Sequence, residues 1–161
     1  MERETVLDRR IDIPDRILDV PDVQRLCNEP NLSAKRVDIG DCRLYCEVEG
    51  DGAALVLLHG GPGGTHHYFH PHFSRAAEFS RPIYYDQRGC GLSDYVEGTG
   101  YSIVQAIEDL DGLRRSLGLS HWAVLGHSYG GFLAQCYAVA HPDSTTALIL
   151  VGASVPSPIR L

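Results

Sequence analysis

Residues 126–131 read Gly126-His127-Ser128-Tyr129-Gly130-Gly131, and the residues on either side give that stretch its meaning. Before it, 123–125 is Ala-Val-Leu, a short apolar run of the kind that forms a strand buried on both faces. After it, no proline interrupts the chain until Pro142, which predicts a helix over about 129–140. A G-x-S-x-G pattern set between a buried strand and a helix is a sharp turn that lifts the serine hydroxyl above the sheet. Strand and helix backbones pass close together in such a turn, so the positions two before and two after the serine must lack bulk. Gly126 and Gly130 meet that need. The helix N-terminus also faces the serine and favours negative charge there. Ser128 is therefore the candidate nucleophile.

Working upstream, the next informative segment is His59-Gly60-Gly61-Pro62-Gly63-Gly64, directly after the continuous apolar run 55–58. For a serine presented as above, one oxyanion donor is the N–H of the following residue, Tyr129. The second is an N–H from the loop after the third strand, and Gly61 is the candidate because a side chain there would block an approaching carbonyl. A phosphate-cradling loop is the competing reading. It fails because no Gly-Lys-Ser/Thr follows and His66 stands where the last glycine of G-x-G-x-x-G belongs. His66, His67, His70 and His72 crowd the next segment. Only His66 and His70 share a helical face, and no cysteine or carboxylate is near them in sequence, so they are expected at the surface or cleft rim, without a metal.

The rest of the chain alternates strand and helix signals, which predicts an α/β class. Strands are expected at 36–39, 44–49, 55–58, 83–86, 123–125 and 147–151, the first two forming a hairpin through Gly40-Asp41. Ser102 and Gln105 have the spacing of a capping box, and Ile103, Ile107, Leu110, Leu113 and Leu117 then form one apolar stripe that ends at Gly118. The expected architecture is a mostly parallel sheet of about six strands with helices on both faces. At 161 residues, with 43% hydrophobic and 22% charged residues, the composition is that of a globular domain. A formal charge of −7 argues against nucleic acid as the partner, and no apolar run is long enough to span a membrane. Five cysteines without a Cys-x-x-Cys pair, and no signal-peptide pattern, predict reduced thiols in a cytoplasmic protein.

Three segments together, His59 to Gly64, Asp86-Gln87-Arg88-Gly89-Cys90-Gly91-Leu92-Ser93 and Gly126 to Gly131, resemble the proline iminopeptidase family of α/β-hydrolases. The resemblance covers about residues 36–158. It implies that Ser128 is the nucleophile and that Gly61 and Tyr129 supply the oxyanion N–H groups. It further implies that His59, Gly60, Asp86, Arg88, Gly126 and Gly130 support the site structurally. The implied activity is release of an N-terminal residue, often proline, from a short peptide or amino-acid amide, with no cofactor. Many members carry tryptophan after the nucleophile where this chain has Tyr129, as broader aminopeptidase and amidase relatives do. An esterase or lactonase on the same fold, or a non-catalytic interaction module, are the alternatives.

In this fold the triad runs Ser, acid, His along the chain. Downstream of Ser128 stand only His141 and Asp143, and thirteen helical residues put His141 roughly 20 Å away. The expectation is a truncated α/β-hydrolase, lacking its cap, last strands, triad acid and histidine, and inactive alone. Residues 147–151 then become an apolar edge, available to a complementing C-terminal half or to self-association. Residues 1–33 are expected as a mobile extension with a short helix at 22–29, residues 34–153 as the hydrolase part, and 154–161 as the start of a cap.

Overall fold

The computed structural model describes residues 32–98 and 100–153, so the expectations for residues 1–31 of the N-terminal extension and for the start of a cap lie outside the described residues, while Ser33, the last residue of the expected extension, already begins the first strand. Six strands form one sheet: β1 (Ser33–Asp38), β2 (Arg43–Val48), β3 (Ala53–Leu58), β4 (Ser80–Tyr85), β5 (Trp122–His127) and β6 (Thr145–Val151). Their order across the sheet is β1-β2-β4-β3-β5-β6. The pairs β3/β4, β3/β5 and β5/β6 are parallel, while β1/β2 and β2/β4 are antiparallel. This is the mostly parallel α/β sheet the pattern predicted, with one hairpin at its edge.

The hairpin turns where expected: Gly40 takes φ 117°, and the Ile39 N–H donates to the Cys42 carbonyl. β4 begins three residues earlier than its apolar signal, because Pro82 obscures it. A proline cannot donate to a ladder. Pro82 is tolerated because β2 pairs with β4 only from Ile83 onward, while the Pro82 carbonyl still accepts from the Glu49 N–H.

Two helices cover one face. α1 (Ile103–Ser116) starts at Ser102, whose side chain accepts from the Gln105 N–H. The reciprocal half of the capping box is absent: the Gln105 side-chain amide donates instead to Asp109, because that buried carboxylate offers a stronger acceptor one turn on. α2 (Tyr129–Ala140) follows β5 directly. Leu110, Leu113, Leu133, Ala134 and Tyr137 from the helices pack on Val56, Leu58, Val124 and Trp122, all essentially excluded from water. Each such side chain contributes about 1.5–3 kcal/mol on burial. The opposite face carries two 3-10 segments, His66–Phe69 and His72–Glu78, which place Phe69 and Ala76 against Leu55, Leu57, Tyr84 and Leu125. No helix among the described residues is long and apolar enough to cross a membrane.

β6 is the far edge. Leu148, Ile149, Leu150 and Val151 each keep 40–44% of their surface in water, although consecutive residues point to opposite faces. Both faces of this strand are thus only partly covered by the described residues, α2 reaching one of them.

Candidate active site

The carboxyl ends of the parallel strands converge on one place, and close backbone packing decides what meets there. A Cβ on Gly126 would collide with the Gly130 carbonyl oxygen, and one on Gly130 would collide with the Leu58 oxygen. The first turn of α2 therefore lies directly against the ends of β5 and β3, at a separation only glycine permits. Ser128 sits between them with φ 54° and ψ −119°. That conformation belongs to the first central position of a type II′ turn, where glycine is the usual occupant. It is the one positive-φ residue other than glycine among the described residues, and its strain is held by the packing on both sides. The Ser128 N–H donates to the Val151 carbonyl, tying the turn to β6 as well. Its hydroxyl has no hydrogen-bond partner among the described residues.

Because α2 presses on the end of β3, the glycine loop that leaves β3 comes up beside the serine. A Cβ on Gly60 would lie 3.1 Å from the Ser128 Cβ. The Gly60 N–H is taken, donating to the Tyr68 hydroxyl, which also contacts His127 Nδ1 at 3.1 Å. The N–H groups of Gly61 and Tyr129 make no hydrogen bond among the described residues. Gly61 adopts φ 136°, and a Cβ there would run into the Gly63 and Gly64 nitrogens at 2.6 and 2.8 Å. Beside this loop opens a cleft of about 340 Å³, whose walls include Pro62, Gly63, Cys90, Tyr101 and Tyr129.

The supporting residues are buried and fully engaged. His59 has no exposure; its Nε2 accepts from the Gln87 N–H at 3.0 Å, which leaves the ring proton on Nδ1, 2.9 Å from the Gly60 carbonyl. Burial lowers its pKa, only partly offset by that carbonyl, so it stays neutral with neither nitrogen free to serve as a base. Asp86 accepts from the His66 N–H, His66 Nδ1 and the Leu92 N–H, each at 2.8 Å. Burial would raise its pKa, but these bonds and the His66 charge hold it below the ordinary value. Arg88 pairs bidentately with buried Asp109, at 2.6 and 2.7 Å, and with Asp41 at the hairpin turn, at 2.8 and 3.0 Å. Those bonds raise its pKa and depress that of Asp41. One loop, 86–93, thus staples the hairpin, the glycine loop and α1 together.

His141 and Asp143 stand at the far end of α2, and His141 stacks on Tyr137 with ring centroids 4.9 Å apart. The structure does not bring them to Ser128. His127 adjoins the serine in sequence, but its Nδ1 faces Tyr68.

The histidine-rich segment corrects the sequence reading. His66 is 1% exposed rather than at a surface, and the carboxylates missing nearby in sequence arrive from elsewhere. Glu47 on β2 lies 3.4 Å from His66 Nε2 and 3.0 Å from His70 Nε2, and Asp86 holds the other ring nitrogen of His66. Burial alone would depress the His66 pKa, but Asp86 and Glu47 outweigh it and raise it to about 9. Sequence reasoning does not single out Glu47 and Glu49, yet both are nearly inaccessible beneath the 3-10 segments. The signal is present: Tyr45, Glu47 and Glu49 alternate along the strand face opposite Leu44, Cys46 and Val48. The four described cysteines are free, Cys42 and Cys46 buried and Cys90 and Cys136 half-buried.

Residues 53–161 match the family model described as the alpha/beta hydrolase fold. A proline iminopeptidase from Lactobacillus delbrueckii subsp. bulgaricus is 38% identical over 128 residues, covering 74% of this chain and 43% of that protein. The chain spans well under half the length of the curated relatives it matches. Among solved structures, the proline iminopeptidase-related protein from Thermus thermophilus superposes with a TM-score of 0.72 at 30% identity, over 77% of this chain and 45% of that one. A 2-hydroxy-6-oxo-6-phenylhexa-2,4-dienoate hydrolase from Rhodococcus sp. strain RHA1 superposes with a TM-score of 0.71 at 28% identity, over 81% and 49%.

Proposed function

The chain belongs to the α/β-hydrolase fold family, and from that premise we propose that Ser128 is the nucleophile of a serine hydrolase of the proline iminopeptidase type. The substrate is a short peptide or amino-acid amide. The observation that carries the reading is the strained Ser128 beside the glycine loop, its hydroxyl and the Gly61 N–H both without a partner among the described residues. The Ser128 oxygen attacks the scissile carbonyl as its proton passes to a histidine base, and the developing oxyanion is received by the amides of Gly61 and Tyr129. One such donor is worth about 3 kcal/mol of barrier. The N-terminus of α2 adds favourable potential at the same point. The leaving amine departs with a proton from the base, and water then cleaves the acyl-serine.

The acid and the histidine that complete this chemistry come, in this reading, from sequence beyond residue 161. The relatives have length to spare for it. The same downstream sequence would add a strand to β6 and cover Leu148 to Val151; failing that, β6 pairs with a second copy of the chain. A cytoplasmic setting fits the four free thiols.

The test is a substrate panel on a polypeptide carrying this segment joined to the downstream half of a proline iminopeptidase. Amino-acid p-nitroanilides, proline first, are compared with short acyl esters, lactones and 2-hydroxy-6-oxo-6-phenylhexa-2,4-dienoate. Faster turnover of the anilides, abolished in Ser128→Ala, supports the proposal. Preference for esters, lactones or the dienoate transfers the site to another hydrolase class. Equal turnover in the Ser128→Ala variant removes the assigned role altogether.

A further inference from the structure

Alternation along β2 puts Tyr45 and Glu47 on the sheet face away from the α-helices, and the segment after the glycine loop folds over that face. Two imidazoles meet the carboxylate there. The ligand-capable atoms of Glu47, His66 and His70 all lie within 4.8 Å of one another. His66 Nε2 is 3.4 Å from one Glu47 oxygen, and His70 Nε2 is 3.0 Å from the other. Metal–ligand bonds of ~2.0–2.2 Å in a tetrahedron separate neighbouring ligand atoms by about 3.3–3.6 Å. The His66–Glu47 spacing is that edge, and the His70–Glu47 spacing falls a few tenths of an ångström short of it.

A second observation points the same way. The His66 side chain is 1% exposed, yet its Nε2 has no hydrogen-bond partner; the Glu47 oxygen is close enough for charge attraction but is not in bonding geometry. A buried ring nitrogen left unbonded and aimed at a carboxylate and a second imidazole is a donor set short of its acceptor. The outer contacts also have the form of a metal site. Asp86 takes His66 Nδ1–H at 2.8 Å, so an ion that displaces the Nε2 proton finds that lone pair facing inward. Tyr45 OH donates to Glu47 at 2.6 Å, and His70 Nδ1 lies 3.3 Å from the Ser74 hydroxyl.

We propose that Glu47, His66 and His70 bind one divalent transition-metal ion of the zinc class, which pins the segment after the glycine loop to β2. Two imidazoles and a carboxylate suit zinc, and the fourth position is left to the second Glu47 oxygen or to water. The role is structural: the site lies on the strand face away from α1 and α2 and shares no residue with the Ser128 turn.

The experiment uses the 161-residue chain, stripped of metal with chelator. Zinc is titrated against a chromophoric competitor, and cobalt(II) is added separately as an optical probe. Expected are one zinc per chain, cobalt bands of a four- or five-coordinate nitrogen–oxygen site without thiolate charge transfer, and a raised unfolding midpoint with zinc. His70→Gln should weaken binding by at least the ~10–100-fold typical of disturbing an outer partner. Glu47→Gln should do the same and serves if the first variant misfolds. His72→Gln, outside the cluster, should bind as the parent does. Absence of one-to-one binding overturns the proposal and leaves a protonated His66 between two carboxylates as the resting arrangement. Unchanged affinity in the His70 and Glu47 variants, or a thiolate signature with cobalt, overturns it equally.

Discussion

Replacing Ser128 by glycine should make the protein more stable than replacing it by alanine, and the difference follows from one backbone conformation. Ser128 holds φ 54° and ψ −119°, where a Cβ is disfavoured. Such a residue stores about 1–3 kcal/mol. Alanine keeps the Cβ and therefore the strain. It removes only a hydroxyl that is without a partner among the described residues, so Ser128→Ala should lie within about 0.5 kcal/mol of the parent. Glycine releases the strain but is freer in the unfolded chain by roughly 0.5–1 kcal/mol. The net advantage of Ser128→Gly over Ser128→Ala is centred on about 1 kcal/mol. For a chain of this size each kcal/mol moves the midpoint by about 2–4 °C. Urea unfolding followed by far-UV circular dichroism, with thermal scans alongside, measures both variants under one condition. A glycine variant no more stable than the alanine variant would refute the strained turn, and with it the reason the hydroxyl is held out of the sheet.

Other perturbations test the surroundings. Gly130→Ala drives a Cβ into the Leu58 oxygen and should destabilise by about 3 kcal/mol or more in the same urea assay. Arg88→Ala strands the buried Asp109 carboxylate and should remove about 3–5 kcal/mol, part of which Arg88→Met with Asp109→Leu restores. Burial would raise the Asp111 pKa, but its bonds to Arg114 and the neighbouring positive charges hold it below 3.8. Its contribution is therefore present above about pH 4 and lost as pH falls through the folded value. Asp111→Asn should be less stable than the parent at about pH 7, and the gap should narrow as pH falls below about 4. Leu148→Lys with Leu150→Lys places charge on the bare edge of β6 and should reduce self-association in light scattering, without lowering stability by more than about 1 kcal/mol.

What can be read in advance is local. The serine turn, the glycine loop and the cap of α1 are each written in six residues or fewer, and their requirements for small or hydrogen-bonding side chains act between near neighbours. What cannot be read depends on partners distant in the chain. Arg88 reaches back 47 residues to Asp41 and forward 21 to Asp109, and only the strand order brings those together. His66 reads as a surface residue from sequence because its carboxylates come from β2 and the end of β4. β4 pairs antiparallel with β2 and parallel with β3, so both acids arrive under the histidine segment through pairing that no spacing along the chain displays. The early start of β4 is hidden by Pro82, a residue that opposes strand pairing except where the neighbouring strand has ended.

The oxygen of an attacked carbonyl would lie between the Gly61 and Tyr129 amides, and a phosphonate adduct makes that position visible. A crystal structure of the segment joined to its downstream half, after reaction with a fluorophosphonate, should show phosphorus bonded to the Ser128 oxygen. Its phosphoryl oxygen should lie about 2.7–3.1 Å from the Gly61 and Tyr129 nitrogens. Phosphorus on any other side chain, or a phosphoryl oxygen turned away from both amides, would contradict the account.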